Sequence, residues 1–122
     1  MERLWFGLGA VMAALGVMTG AFAAHGLEGR ISDHDLDVWQ TGARYHFFHA
    51  LALFVVAWAA ERWGGGWTTA AGWLFVAGIA LFSGSLYLLS TSGERTLGAV
   101  TPVGGVCFIA GWGCLAAAAI RG

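Results

Sequence analysis

Four long apolar runs, separated by short turns rich in glycine and charge, leave this chain few ways to fold. They cover about residues 4–24, 43–60, 67–89 and 97–120. A helix needs about 20 apolar residues to cross the hydrocarbon core of a bilayer. Inside that core the backbone must satisfy its own polar groups, so each run is expected to be helical. Composition points the same way: 58% of the 122 residues are hydrophobic and 11% are charged. Soluble domains average roughly 45–50% and 25%. The chain therefore reads as one all-α integral membrane domain over residues 1–122, an antiparallel bundle of four transmembrane helices joined by short loops.

The first run resembles a signal peptide, with Glu2 and Arg3 ahead of it and Ala21-Phe22-Ala23 near its end. Its apolar stretch is however longer than the roughly 7–15 residues of a signal core, so a retained first span is expected. Glycines at 26 and 29 break the helix. Ser32 followed by Asp33 and Asp35 then reads as a helix cap with acids in the first turn. Leu36, Trp39 and Ala43 recur three to four apart, which predicts a short interfacial helix over about 33–41. Two continuations are open: an unbroken run into the second span, or a bend at Gly42. Asp33, Asp35 and Asp37 with His34 read as a solvated helix start rather than a cation site.

Small residues recur along the first run at Gly9, Ala13, Gly16 and Gly20, and along the fourth at Gly104, Cys107, Gly111, Cys114 and Ala118. In lipid, such stripes let helix backbones approach closely, so both faces are expected to pack helices, including those of a second copy. The two cysteines stand about 10 Å apart along a helix, too far to bridge. The net charge of −1 and the lack of any basic patch exclude a nucleic-acid partner. Arginines do not settle orientation, because Arg3, Arg62 and Arg121 on one side balance Arg30, Arg44 and Arg95 on the other. Cytoplasmic termini are the working expectation.

Helix alternation gathers the polar residues at one end. His25 closes the first helix, and Arg44, Tyr45, His46 and His49 open the second. Ser83, Ser85 and Tyr87 lie late in the third, and Thr101 early in the fourth. Ionisable groups in a membrane helix need partners, so these nine residues are expected to form one polar cluster near one membrane face. His46 and His49 share a helical face. An interhelical hydrogen-bonded clamp is the leading reading, each bond being worth about 0.6 kcal/mol and at most about 1.7. A site for a small solute, ion or proton is the alternative. The second alternative is metal or haem held by His25, His46 and His49, since zinc accepts three imidazoles and haem takes axial ones. No carboxylate or ligating cysteine accompanies them, and no metal or other cofactor is expected. Nothing forms a nucleophile–base–orienter set, so no enzyme is expected either.

Four segments stand in order: Gly20-Ala21-Phe22-Ala23-Ala24-His25-Gly26-Leu27, Tyr45-His46-Phe47-Phe48-His49-Ala50-Leu51-Ala52-Leu53, Leu81-Phe82-Ser83-Gly84-Ser85-Leu86-Tyr87, and Thr101-Pro102-Val103-Gly104-Gly105 followed by Gly111-Trp112. Together they resemble the family known as domain of unknown function 423, small four-span membrane proteins of bacteria with relatives in animals. The resemblance covers essentially the whole chain. It implies a multi-pass protein of the bacterial inner membrane and brings no activity, substrate or catalytic residue. Small multidrug exporters centre on a glutamate in the first helix, which this chain lacks beyond Glu2. Fluoride channels use a membrane asparagine, and there is none here.

These features predict a non-enzymatic membrane protein, either a structural or accessory subunit or a module that binds a small partner. Its expected partners are the lipid bilayer and either further copies of itself or a larger membrane complex.

Overall fold

A computed structural model describes residues 2–121. Helix α1 (Glu2–Phe22) ends in a π-helical turn, Ala23–Leu27. Helix α2 runs Asp33–Arg62, α3 runs Gly65–Gly78 and α4 runs Gly84–Ser92, with a second π turn, Ile79–Ser83, between α3 and α4. Helix α5 covers Leu97–Arg121. The segments Glu2–Leu27, Asp33–Arg62, Gly65–Ser92 and Leu97–Arg121 are each long and apolar enough to cross a membrane. Even 25 residues of helix extend about 37 Å, which exceeds a hydrocarbon core of about 30 Å and leaves room for tilt.

The expected short helix over about 33–41 is present, but only as the opening turns of α2, which runs unbroken through Gly42. Ser32 caps it, its Oγ accepting from the Asp35 N–H at 3.1 Å. Gly42 does not bend the helix. A Cβ there would stand 3.2 Å from both Leu86 Cβ and Tyr87 Cε1, so its missing side chain lets α4 close on α2.

Neighbours in sequence are neighbours in space. Helix α1 packs on α2, α2 on the α3–α4 segment, and that segment on α5. Each contact is set by glycines meeting large side chains. A Cβ on Gly9 would lie 3.1 Å from the Ala50 carbonyl, and one on Gly16 would lie 3.2 Å from Phe47. Across the other seam, a Cβ on Gly111 would meet the Phe75 ring at 2.6 Å, and one on Gly104 would strike the Phe82 backbone nitrogen. The two small-residue stripes are therefore filled from within the chain, by α2 and by the third span. Gly20 is the exception, with nothing within 4 Å of its Cβ position. The core comprises Trp5, Leu53, Val56, Phe75, Ile79, Phe108 and their neighbours. Trp5 reaches past α2 onto Gly72, where a Cβ would stand 2.6 Å from its ring.

Candidate functional site: interhelical polar ties

The third span carries the residues that make most of these ties, and its π turn decides where they point. A π turn adds one residue to a helical repeat and so re-phases every side chain beyond it. Ser83, the last residue of that turn, is fully buried and donates to the Gly42 carbonyl of α2 at 2.7 Å. Two residues on, Ser85 Oγ lies 2.6 Å from Thr101 Oγ1 and ties α4 to α5. One helical turn after Ser83, Tyr87 faces α1 and α2 together.

Tyr87 forms the longest chain of hydrogen bonds. His46 Nδ1 stands 2.8 Å from Tyr87 Oη, which stands 3.0 Å from Thr19 Oγ1. The Thr19 hydroxyl donates to the Gly16 carbonyl at 3.0 Å. A threonine hydroxyl has a single proton. Whichever partner takes that proton, Tyr87 Oη is engaged on both sides, by His46 and by Thr19. The chain thus spans three helices. Trp39 closes the end of this group, its Nε1–H donating to the Thr19 carbonyl at 2.8 Å and its ring centre lying 4.5 Å from that of Tyr87.

His49 belongs to a separate group. Its Nδ1 lies 2.8 Å from the Tyr45 carbonyl, and its Nε2 accepts from Trp112 Nε1–H at 3.1 Å. Indole N–H can only donate, so His49 carries its proton on Nδ1 and both ring nitrogens are engaged. Its ring stacks on Phe108 with centroids 3.6 Å apart and planes 11° apart, and Phe75 closes another side at 5.4 Å. Asp33 opens α2, so His49 is the seventeenth of its 30 residues. Counted from the start of the apolar run at Ala43, it is the seventh residue, about 9 Å along the axis.

The nine expected residues do not form one cluster. His46 and Tyr87 join Thr19; Ser85 joins Thr101; Ser83 binds backbone; His49 joins Trp112. His25 and Arg44 are exposed, and neither has a polar partner among the described residues. The Tyr45 side chain is 40% exposed and contributes its ring edge to Phe82 rather than its hydroxyl. His25 is an exposed residue of the first π turn, away from the buried imidazoles. Among the described residues, no group of three or more His, Cys, Asp or Glu side chains is placed to hold a metal.

Thr19 and Trp112 were not singled out as site residues from the sequence. Thr19 had a usable signal, being the one hydroxyl in an otherwise apolar first run. Trp112 stood within the Gly111-Trp112 motif, but nothing in the sequence pairs its indole with His49.

The fold and these ties define a class: small, all-helical, four-span integral membrane proteins with buried polar seams. Within it, the chain belongs to the family described as "Protein of unknown function (DUF423)", whose model matches residues 19–105. It is 56% identical over 115 residues to the UPF0382 membrane protein YwdK of Bacillus subtilis, covering 93% of this chain and 94% of that one. Two UPF0382 membrane proteins of Staphylococcus are also similar. That of S. aureus strain bovine RF122 is 47% identical and that of S. haemolyticus 44%, each over 90% of this chain and 89% of the relative. No solved structure matches.

Proposed function

We propose that this chain is a non-catalytic membrane protein, a structural or accessory subunit, whose buried polar residues serve to hold its helices in register. One observation carries the reading: the polar side chains pair off across helix seams instead of converging on a shared cavity. A catalytic or transport site needs groups free to meet a substrate. Here His49 Nε2 and the hydroxyls of Tyr87, Ser83 and Ser85 are committed to neighbouring helices, and His49 Nδ1 to the Tyr45 carbonyl of its own helix. The outer faces of α1 and α5 offer the surface for a partner. Val11, Val17, Met18, Val106, Ile109 and Ile120 are each more than half exposed, and they suit lipid, a second copy or another membrane subunit.

Thermal unfolding in detergent tests the reading. Tyr87→Phe removes one hydroxyl from a three-helix chain and should cost about 0.6–1.7 kcal/mol, seen as a lower Tm. His49→Leu should cost more, because Trp112 Nε1–H then loses its acceptor. If both variants unfold at the wild-type temperature, the residues are not clamps and the reading fails. Solute flux in liposomes is the complementary measurement. Flux above that of empty vesicles, abolished by His49→Leu, would favour transport instead.

A further inference from the structure

On the outer surface between α1 and α2 lies an open groove of about 500 Å³, with Gly16, Gly20, Gln40, Ala43, Arg44 and Phe47 among its lining residues. Gln40, Arg44 and Phe47 fall at i, i+4 and i+7, on one face of α2. Gly16 and Gly20 face them from α1. The trough exists because the glycines have no side chains: Phe47 covers Gly16, while nothing lies within 4 Å above Gly20. One end is polar and the other apolar, over about 10 Å of helix rise.

We propose that this groove binds an anionic phospholipid, with its phosphate on Arg44 and Gln40 and an acyl chain in the trough over Gly20 and Phe47. The cation is the first argument. Arg44 borders the apolar run of α2, is exposed, and has neither an ion pair nor a hydrogen bond among the described residues. A guanidinium at a membrane surface without a protein partner calls for an anion, and a lipid phosphate is the anion present at either surface. Direction is the second. Helical Cα–Cβ bonds tilt toward the N-terminus, and α2 enters the membrane from its N-terminal end. The side chain of Arg44 therefore rises toward the headgroups, its stem lying along apolar surface. Trp39, one turn above Ala43, marks the interfacial level. Shape is the third. A soluble anion has no use for an apolar trough leading down from the charge, whereas a diacyl lipid fills both ends.

The inference does not depend on the clamp reading, because none of these residues makes a polar tie between side chains. The test is lipid retention by native mass spectrometry and thermal shift in detergent, using phosphatidylglycerol, phosphatidylcholine and soluble glycerol 3-phosphate. Wild type and an Arg95→Gln control, which removes a loop arginine, should retain phosphatidylglycerol and gain Tm from it. Phosphatidylcholine and glycerol 3-phosphate should have little effect. Arg44→Gln should weaken retention about fivefold, the weight of one interfacial arginine, and Arg44→Lys should restore most of it. Gly20→Leu fills open space and should displace the lipid while leaving the lipid-free Tm near that of wild type. Retention unchanged in Arg44→Gln overturns the proposal. An equal shift with glycerol 3-phosphate also overturns it, in favour of a free-anion site.

Discussion

Gly104 and Gly105 stand side by side at the start of α5, yet they have opposite freedom. A Cβ on Gly104 would run into the backbone of Phe82, whereas one on Gly105 would meet only the edge of the Phe82 ring at 3.8 Å. Gly104→Ala should therefore force α5 away from the third span. The Ser85–Thr101 bond should go with it, at a cost of about 1–3 kcal/mol or more. Gly105→Ala should be close to neutral. Comparing their Tm values in detergent, with size-exclusion profiles as a check on folding, decides the point. Equal effects would mean that the seam is not that tight. At this scale the sequence is a good guide to which residues matter and a poor guide to their pairing. His46, His49, Ser83, Ser85, Tyr87 and Thr101 stand out as polar groups in apolar runs, and each meets a partner. Arg44 and His25 look equivalent on paper, but their side chains leave the protein. A side chain's azimuth about its helix separates these cases, and periodicity gives it only to within a turn.

The π turn at Ile79–Ser83 makes that azimuth unreadable in the third span. One extra residue rotates everything after it by about 100° relative to an uninterrupted α-helix. A strict 3.6-residue count from Phe75 therefore misplaces Ser85 and Tyr87. Deleting Ala80 should convert the turn to regular α-helix and rotate α4 away from both seams. The Ser85–Thr101 and His46–Tyr87 bonds would be lost together. The expected outcome is a variant that inserts but has a Tm well below that of Tyr87→Phe. If its Tm matches wild type, the π turn is not what sets the phase of α4. Helix α2 is the opposite case. Its capped start at Ser32 and its apolar run are legible, and of the two continuations open at Gly42 the structure takes the unbroken one. Glycine costs a helix about 1 kcal/mol relative to alanine, and at position 42 close contact with Leu86 and Tyr87 offsets that cost.

As a whole, the molecule is a row folded back and forth, with four crossings placing both ends on one side of the membrane. Cysteines introduced at positions 3 and 121 should thus share one response to an impermeant thiol reagent in intact cells, and one introduced at 95 should give the opposite response, with Cys107 and Cys114 first replaced by alanine. Opposite responses at 3 and 121 would contradict an even number of spans. The four-span class was legible because hydropathy and length alone impose it, and family membership then followed from ordered motifs across the chain. The function was not legible on the same terms, since hydrogen-bonding residues in a membrane helix look alike whether they fasten a neighbour or greet a ligand.

The sequential packing also bears on how the chain is made. Helix α1 has its main partner in α2, α2 in the third span, and the third span in α5. During synthesis each helix therefore enters the bilayer beside its main partner. The polar residues that would be costly to leave in lipid follow the same schedule. Thr19 and His46 are inserted before Tyr87 arrives to join them, and His49 waits only until Trp112 enters with the last span. Assembly can thus proceed by addition at one edge, without rearranging what is already in place.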